Sequence, residues 1–332
     1  MRVLLLACVA GCAASDVDVR DRSEWRGWPD DEIARRVPLR IAHWNIEELA
    51  APGSAKFNAQ LSILLRLDAD VVLLNEIPAS QLAELDALAD AGAYAHVFAP
   101  EDRPFGSLGN AVLSRLPFDD AYSPSSAALA GDDQANDQTR LPVVVTFTVP
   151  DLGVSVGLVG QHLKSGFAEA DPFRRGVEGR RMAQAADALS VDLVVAGADF
   201  NAEPGEAYEP PSYTALPDGL PPAFRLGSDL SAALAAGIGA DPMLPLTDAE
   251  LIRVDARLRN GLRYTRPDTG RYIDHFFVSA AVAEEGYRAE IYDSKDEFIP
   301  GIADGPGVPA RDAVDRASDH LPLLLELRLP EP

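Results

Sequence analysis

Apolar runs of strand length recur along this chain, and most of them break off into a polar residue that can do chemistry. The clearest is VDLVVAGADFN (Val191–Asn201), which ends in Asp199, Phe200 and Asn201. ASDHLPLLLEL (Ala317–Leu327) is its mirror image, with Asp319 and His320 just before an apolar run. LRIAHWNI (Leu39–Ile46) alternates and carries Asn45, ADVVLLNEI ends in Asn75 and Glu76, VSVGLVGQHL reaches His162, and RYIDHFFVSA carries Asp274. Short apolar runs bounded by turn residues read as strands, and alternation marks a half-buried one. Strand ends are where a sheet fold exposes polar groups to a shared crevice. The pattern therefore constrains the chain to a sheet-based fold that gathers these ends.

Helical periods lie between the strands. KFNAQLSILLRL (Lys56–Leu67) puts Phe57, Leu61, Leu64 and Leu65 on one face. PASQLAELDALADAG places Pro78 near a first turn and Gly92 after the end, and DPFRRGVEGRRMAQAADALS offers Asp171 as cap with Pro172 at the first position. Its Arg174 and Arg181 share a face that reads as solvated. Strands and helices alternate early, then strands follow one another directly. That order predicts α/β layers with mixed or antiparallel sheets. No repeat or composition break divides residues 38–332. The Pro- and Gly-rich stretch 202–263 is the candidate specificity loop, with short helices at DLSAALAAGI and LTDAELIRVDARL.

The net charge of −23 disfavours passive nucleic-acid binding, which depends on neutralising phosphates with Lys and Arg. It does not exclude an enzyme with a local basic groove. Arg2, the apolar run Val3–Ala10 and the small residues after it read as an export signal over 1–12. Val9-Ala10-Gly11-Cys12 resembles a bacterial lipobox, which implies a lipidated Cys12, a polar tether over 13–37 and a place in the cell envelope. Periplasmic or secreted forms are the other exported outcomes. Cys8 would leave with the signal, so the mature domain has no disulfide.

Oxygen donors from Asp, Glu and Asn suit Mg²⁺ or Mn²⁺, and no HExxH or Cys-His cluster points to zinc. If the two opening segments meet in space, the chain is a metal-assisted hydrolase. Seven segments in order, AHWNIEEL, VVLLNEIP, GNAVLSRLP, GQHLKSG, VVAGADFN, RYIDHFFVS and ASDHLPL, resemble the endonuclease/exonuclease/phosphatase superfamily, the fold of deoxyribonuclease I and exonuclease III-type enzymes.

The resemblance implies a four-layer α/β sandwich, with two central, mixed but mostly antiparallel sheets flanked by helices. It implies Asn45, Glu76 and Asp319 on the metal side, with Glu47 assisting, and Mg²⁺, Mn²⁺ or Ca²⁺ as the ion. His162 and His320 would contact the phosphate, Asp274 would orient His320, and Asp199 and Asn201 would position water and target. Arg140 would reach substrate phosphate. The expected activity is that of an exported, monomeric phosphodiesterase cutting nucleic acid by in-line attack of water. A phosphatase, or a sphingomyelinase-like or inositol phosphate phosphoesterase, is the alternative, and a non-catalytic surface binding module the third. One departure stands out: Ala198 replaces the usual glycine before the aspartate. Outside the resemblance, His43 and His96 read as surface or core residues, and His275 as facing away from Asp274.

Overall fold

The computed structural model describes residues 36–101, 108–204 and 211–330. The expected signal, Cys12 and almost all of the tether lie outside them. Fifteen strands run in order β1 (Arg36–Asn45), β2 (Val71–Pro78), β3 (His96–Phe98), β4 (Leu108–Ser114), β5 (Asp120–Tyr122), β6 (Val143–Thr148), β7 (Ser155–His162), β8 (Leu193–Asp199), β9 (Ser212–Tyr213), β10 (Ile238–Gly239), β11 (Ile252–Arg253), β12 (Arg257–Leu258), β13 (Asp274–Val278), β14 (Tyr287–Ile291) and β15 (Leu323–Pro330). The helices are α1 (Ala55–Leu67), α2 (Leu82–Ala91), α3 (Ser126–Ala130), α4 (Ala170–Asp187), α5 (Ser228–Leu234), α6 (Leu244–Asp248), α7 (Ala280–Glu285) and α8 (Ala313–Ala317).

Two large sheets result, as the resemblance implies. The first has the order β12-β14-β15-β1-β2-β4-β3 and the second β11-β13-β8-β7-β6-β5. Pairing is antiparallel except at β1–β2, β12–β14 and β7–β8. Helix α1 buries Phe57, Ile63, Leu64 and Leu67 in the core of the first sheet, and Leu61 and Leu65 are half-buried at its border. Helices α4 and α6 bury Met182 and Leu246 with Ala196, Ala198 and Phe277 on the outer face of the second.

The inner faces of the two sheets interlock where the site forms. Gly160 and Gly197 are partners across β7 and β8, and Leu73 of β2 lies over both. A Cβ on Gly197 would come within 2.8 Å of Phe276 and 3.0 Å of Leu73; one on Gly160 would meet Val143 at 2.9 Å and Leu73 at 3.1 Å. Glycine is what lets the sheets close here. Ala198 points the other way, into the outer core, and keeps regular register with Gln161 and His275. The methyl group thus fills core space rather than crowding the crevice.

Four local readings are corrected. Pro78 closes β2, and a 3-10 turn (Ala79–Gln81) precedes α2. Helix α4 starts at Ala170, so Asp171 sits in its first turn, where Oδ2 accepts from Ala168 N at 2.9 Å. The arginine face of α4 is not solvated: Arg174 and Arg175 are buried and Arg181 wholly so, with bonds from Arg181 to Asp137 (2.6 and 3.0 Å) and Asp229 (2.8 and 3.0 Å). In 202–263 the second expected helix stops at Asp248, and the rest supplies edge strands β11 and β12, one to each sheet. Pairing with β13 and β14 outweighs the helical spacing there.

Candidate active site

The polar strand ends meet at one edge of the interlocked sheets. Register alone places Asn45 opposite Asn75, His162 opposite Asp199, and Asp199 opposite Asp274. Polar contacts also bridge the sheets: Asn45 Nδ2 lies 3.1 Å from Glu76 Oε1 and 3.1 Å from Asp199 Oδ2, and Asp199 N donates to Asn75 Oδ1 at 3.4 Å. The segment before β15 is stitched on by Ser318, whose Oγ donates to Asn45 O (2.7 Å) and accepts from His320 N (3.0 Å). Trp44 Nε1 donates to His320 O at 2.9 Å.

Two of the gathered residues adopt left-handed backbone, Glu76 at φ 63° and Asn201 at φ 51°. The β2–β4 register shifts between Leu74 and Ile77, which marks a bulge at Asn75 and Glu76. A bulge re-aims a side chain that regular alternation would send elsewhere. Non-glycine residues hold such conformations only where their surroundings enforce them, and they cluster at working sites.

His320 Nδ1 donates to Asp274 Oδ2 at 2.8 Å, and its Nε2 faces Asp199 Oδ2 at 3.9 Å. Burial works to lower the pKa of His320, but the charges of Asp274 and Asp199 outweigh it and raise it to about 10. The ring is therefore an imidazolium at neutral pH. Burial, reinforced by the Asp274 charge, pushes Asp199 up to about 7. Asp199 Oδ1 accepts from Asn201 N at 2.8 Å, so both its oxygens are aimed. His162 is fully buried, 3.4 Å from Asp199 Oδ2 and 3.8 Å from Glu76 Oε1. Burial, then the charge of Arg140, hold its pKa well below that of an ordinary histidine, so the ring is neutral. Arg140 lies behind it, with Nη1 on the carbonyls of His162 (3.5 Å) and Leu163 (3.3 Å).

Asp319 meets a partner the sequence reading did not include: Arg266 Nη2 lies 2.7 Å from its Oδ2. Glu47 is turned away, paired with Lys56 at 3.3 Å. Three further residues were given no role in that reading. His43 is wholly buried, donates from Nε2 to Asn75 Oδ1 (2.9 Å), and faces Asp274 Oδ1 at 3.8 Å. Asn75 passes the chain on to Asn110 (2.9 Å), and Thr265 Oγ1 accepts from the amides of Ile273 and Asp274 at 3.1 Å each. Strand alternation from Asn45 puts His43 on the inner face and could have found it; Thr265 and Arg266 carry no local signal. His275 faces the other side of β13, as expected, with Nε2–H on Tyr272 O at 3.1 Å. His96 is half-buried at the sheet edge.

Among the described residues, Asp199, Asp274 and His320 bring one donor atom each within 4.8 Å of one another. An ion among them would have to displace the His320–Asp274 bond and face an imidazolium, so this trio is better suited to holding protons. Glu76 fits a hard divalent cation better. Its side chain keeps 22% exposure, the bulge turns it to the mouth, and Asn45 fixes Oε1. The His162 Nδ1 beside it is buried with no hydrogen-bond partner. The arrangement joins a cationic contact, a carboxylate near its titration point and an acidic metal corner, which are the parts of phosphoester hydrolysis.

The solved structures that resemble this fold include an endonuclease/exonuclease/phosphatase from Beutenbergia cavernae, at 21% identity and a TM-score of 0.55 over 89% of this chain and 72% of that one. TDP2 of D. rerio, complexed with a single-strand DNA product, matches at 14% identity and 0.52 over 87% and 98%. A mannosyl-6-phosphatase from Bacteroides thetaiotaomicron matches at 15% and 0.53 over 87% and 99%. No curated protein matches the sequence. The family model "Endonuclease/Exonuclease/phosphatase family" matches residues 42–320, from the second half of β1 to His320. Since that span contains every strand end that builds the site, the chain belongs to the endonuclease/exonuclease/phosphatase family of divalent-metal-dependent phosphoester hydrolases.

Proposed function

We infer that this enzyme is an exported phosphodiesterase that hydrolyses nucleic acid. The observation that carries the reading is the facing of His320 and Asp199: a fixed cation for the phosphate stands 3.9 Å from a carboxylate poised to take a proton. Asp199 accepts the proton of the attacking water, and Asn45 and Asn201 keep its oxygens aimed. His320 neutralises charge growing on the phosphate oxygens, while Asp274 keeps the ring cationic and oriented. Neutral His162 offers a hydrogen bond, and Arg140 adds positive charge behind it. Asn45, Glu76 and Asp319 would hold Mg²⁺, or Mn²⁺ or Ca²⁺ in its place, which supplies Lewis-acid polarisation of the phosphoryl oxygens.

Nucleic acid is favoured over a lipid or sugar phosphate because half-exposed Lys164, Arg266 and Arg271, each with a carboxylate partner in Asp171, Asp319 and Glu203, gather on the loops next to the site of a chain whose net charge is −23. In the D. rerio relative the same fold carries a single-strand DNA product. Purified enzyme should degrade DNA or RNA with Mg²⁺ and stop with EDTA. Release of phosphocholine or inorganic phosphate without cleavage of either polymer would overturn the nuclease reading. Export rests on Arg2, Val3–Ala10 and Cys12, and palmitate labelling should vanish in Cys12→Ser.

A further inference from the structure

A phenylalanine stands almost bare beside this site. Phe167, on the loop after β7, is 86% exposed. Burying such a ring is worth roughly 1.5–3 kcal/mol, which this position forgoes. The loop is braced rather than slack. Arg175 Nη1 donates to the carbonyls of Lys164 (3.1 Å) and Gly166 (2.9 Å), Asp171 holds Ala168 N (2.9 Å), and Lys164 pairs with Asp171 (3.2 Å). Its root is the site itself: Leu163 N donates to Asp199 O (2.9 Å), and Asn201 Nδ2 donates to Leu163 O (3.1 Å).

Opposite stands the turn from Thr265 to Arg271, closed by bonds from Thr265 N and Arg266 N to Arg271 O at 2.9 and 3.0 Å. It is rooted on the Asp274 amide through Thr265 Oγ1. The Arg271 guanidinium carbon lies 5.9 Å from the centre of the Phe167 ring, and Arg266 reaches Asp319. The ring and both guanidinium groups are thus fixed to the elements that carry Asp199 and Asp274.

We propose that Phe167, Arg271 and Arg266 form a subsite for an unstacked nucleobase and its flanking phosphate, so that the enzyme prefers single-stranded nucleic acid. The proposal rests on the nucleic-acid reading above. A base stacked on an exposed aromatic side chain contributes about 1–3 kcal/mol, whatever its identity. Arginine adds planar contacts to phosphate and to the base face. Bases within a duplex are stacked on one another, so the ring reaches only an unpaired one. A choline headgroup also seeks aromatic rings, but here it would meet the like charge of Arg271 over the same ring.

The test is binding of fluorescein-labelled oligothymidylate, by anisotropy, to protein silenced by Asp199→Asn. Phe167→Ala should weaken binding about tenfold, Phe167→Trp should restore it, and binding of a duplex of equal length should not change. Arg271→Gln should weaken binding and lower its salt dependence by about one ion. Thermal midpoints should stay put, because the ring packs on little. Unchanged oligothymidylate binding in Phe167→Ala, while the parent enzyme still cleaves DNA, would sink the subsite alone. A parent enzyme that cleaves neither DNA nor RNA would sink the reading beneath it. Competition by phosphocholine vesicles but not by oligothymidylate would overturn the base subsite.

Discussion

Asp199 and Asp274 are register partners across β8 and β13, yet they sit on opposite sides of the ordinary carboxylate range. Burial opposes ionisation of both. At Asp274 the bonded His320 imidazolium more than reverses it; at Asp199, without that bond, burial and the Asp274 charge prevail. Two identical side chains are thereby given different tasks, one to hold a proton carrier in place and one to receive a proton.

Asp274→Asn should leave His320 without its anchor. We expect kcat/KM to fall by about 10²–10³-fold, the range for losing one preorganised charge-stabilising donor, with KM changing far less. Steady-state kinetics on a short oligonucleotide would measure it, and a loss under threefold would show that His320 needs no anchor.

Glu76→Gln removes the charge from the bulged metal corner. Titration with Mn²⁺, followed by electron paramagnetic resonance, should show affinity down at least about tenfold, since hard cations bind chiefly through carboxylates. Activity lost to EDTA should return to the parent with Mg²⁺ and return poorly to the variant.

Gly197→Ala should push Phe276 and Leu73 apart at the sheet interface. The expected destabilisation is about 1–3 kcal/mol, typical of overpacking. Urea unfolding would read it. Exchanging Ala198 for Gly should instead cost stability by emptying core space without touching the crevice.

His275 is buried and pushed down to about 3, first by burial. Its folded pKa lies below the unfolded value near 6.5, so unfolded chains bind the extra proton. Its contribution to stability is present above pH ~6.5 and is lost as pH falls toward about 3, by at most about 1.4 kcal/mol per pH unit. His275→Gln keeps a donor for Tyr272 O and does not titrate. The difference in unfolding free energy between parent and variant should shrink the parent's advantage as pH falls through that window. A difference independent of pH would contradict the buried neutral ring.

Much of this was legible before any coordinates. Strand ends carry chemistry in their own letters, so Asn45, Glu76, His162, Asp199, Asp274 and His320 could be picked out and do converge. What stayed hidden depends on distance along the chain. Arg266 meets Asp319 across 53 residues, and no local pattern encodes that meeting. The arginines of α4 showed a polar face by period alone, and Arg181 is buried on Asp137 and Asp229, which come from distant parts of the chain, while Arg175 is held by the carbonyls of Lys164 and Gly166. Residues 252–258 kept helical spacing but were claimed by waiting sheet edges.

The pairing of β1 with β15 has a consequence for how the enzyme is made. These two, the first and last strands among the described residues, lie side by side near the centre of the seven-stranded sheet, from Arg36 against Pro330 to His43 against Leu323. A chain emerging from the ribosome cannot complete that sheet until its last strand is out, and His320 arrives only just before it. The nascent protein therefore remains without a finished core, and without a working site, until residues 320–330 have been made. A phosphoester hydrolase built this way cannot act while it is being made, because a chain stopped short of β15 lacks a central strand of its first sheet.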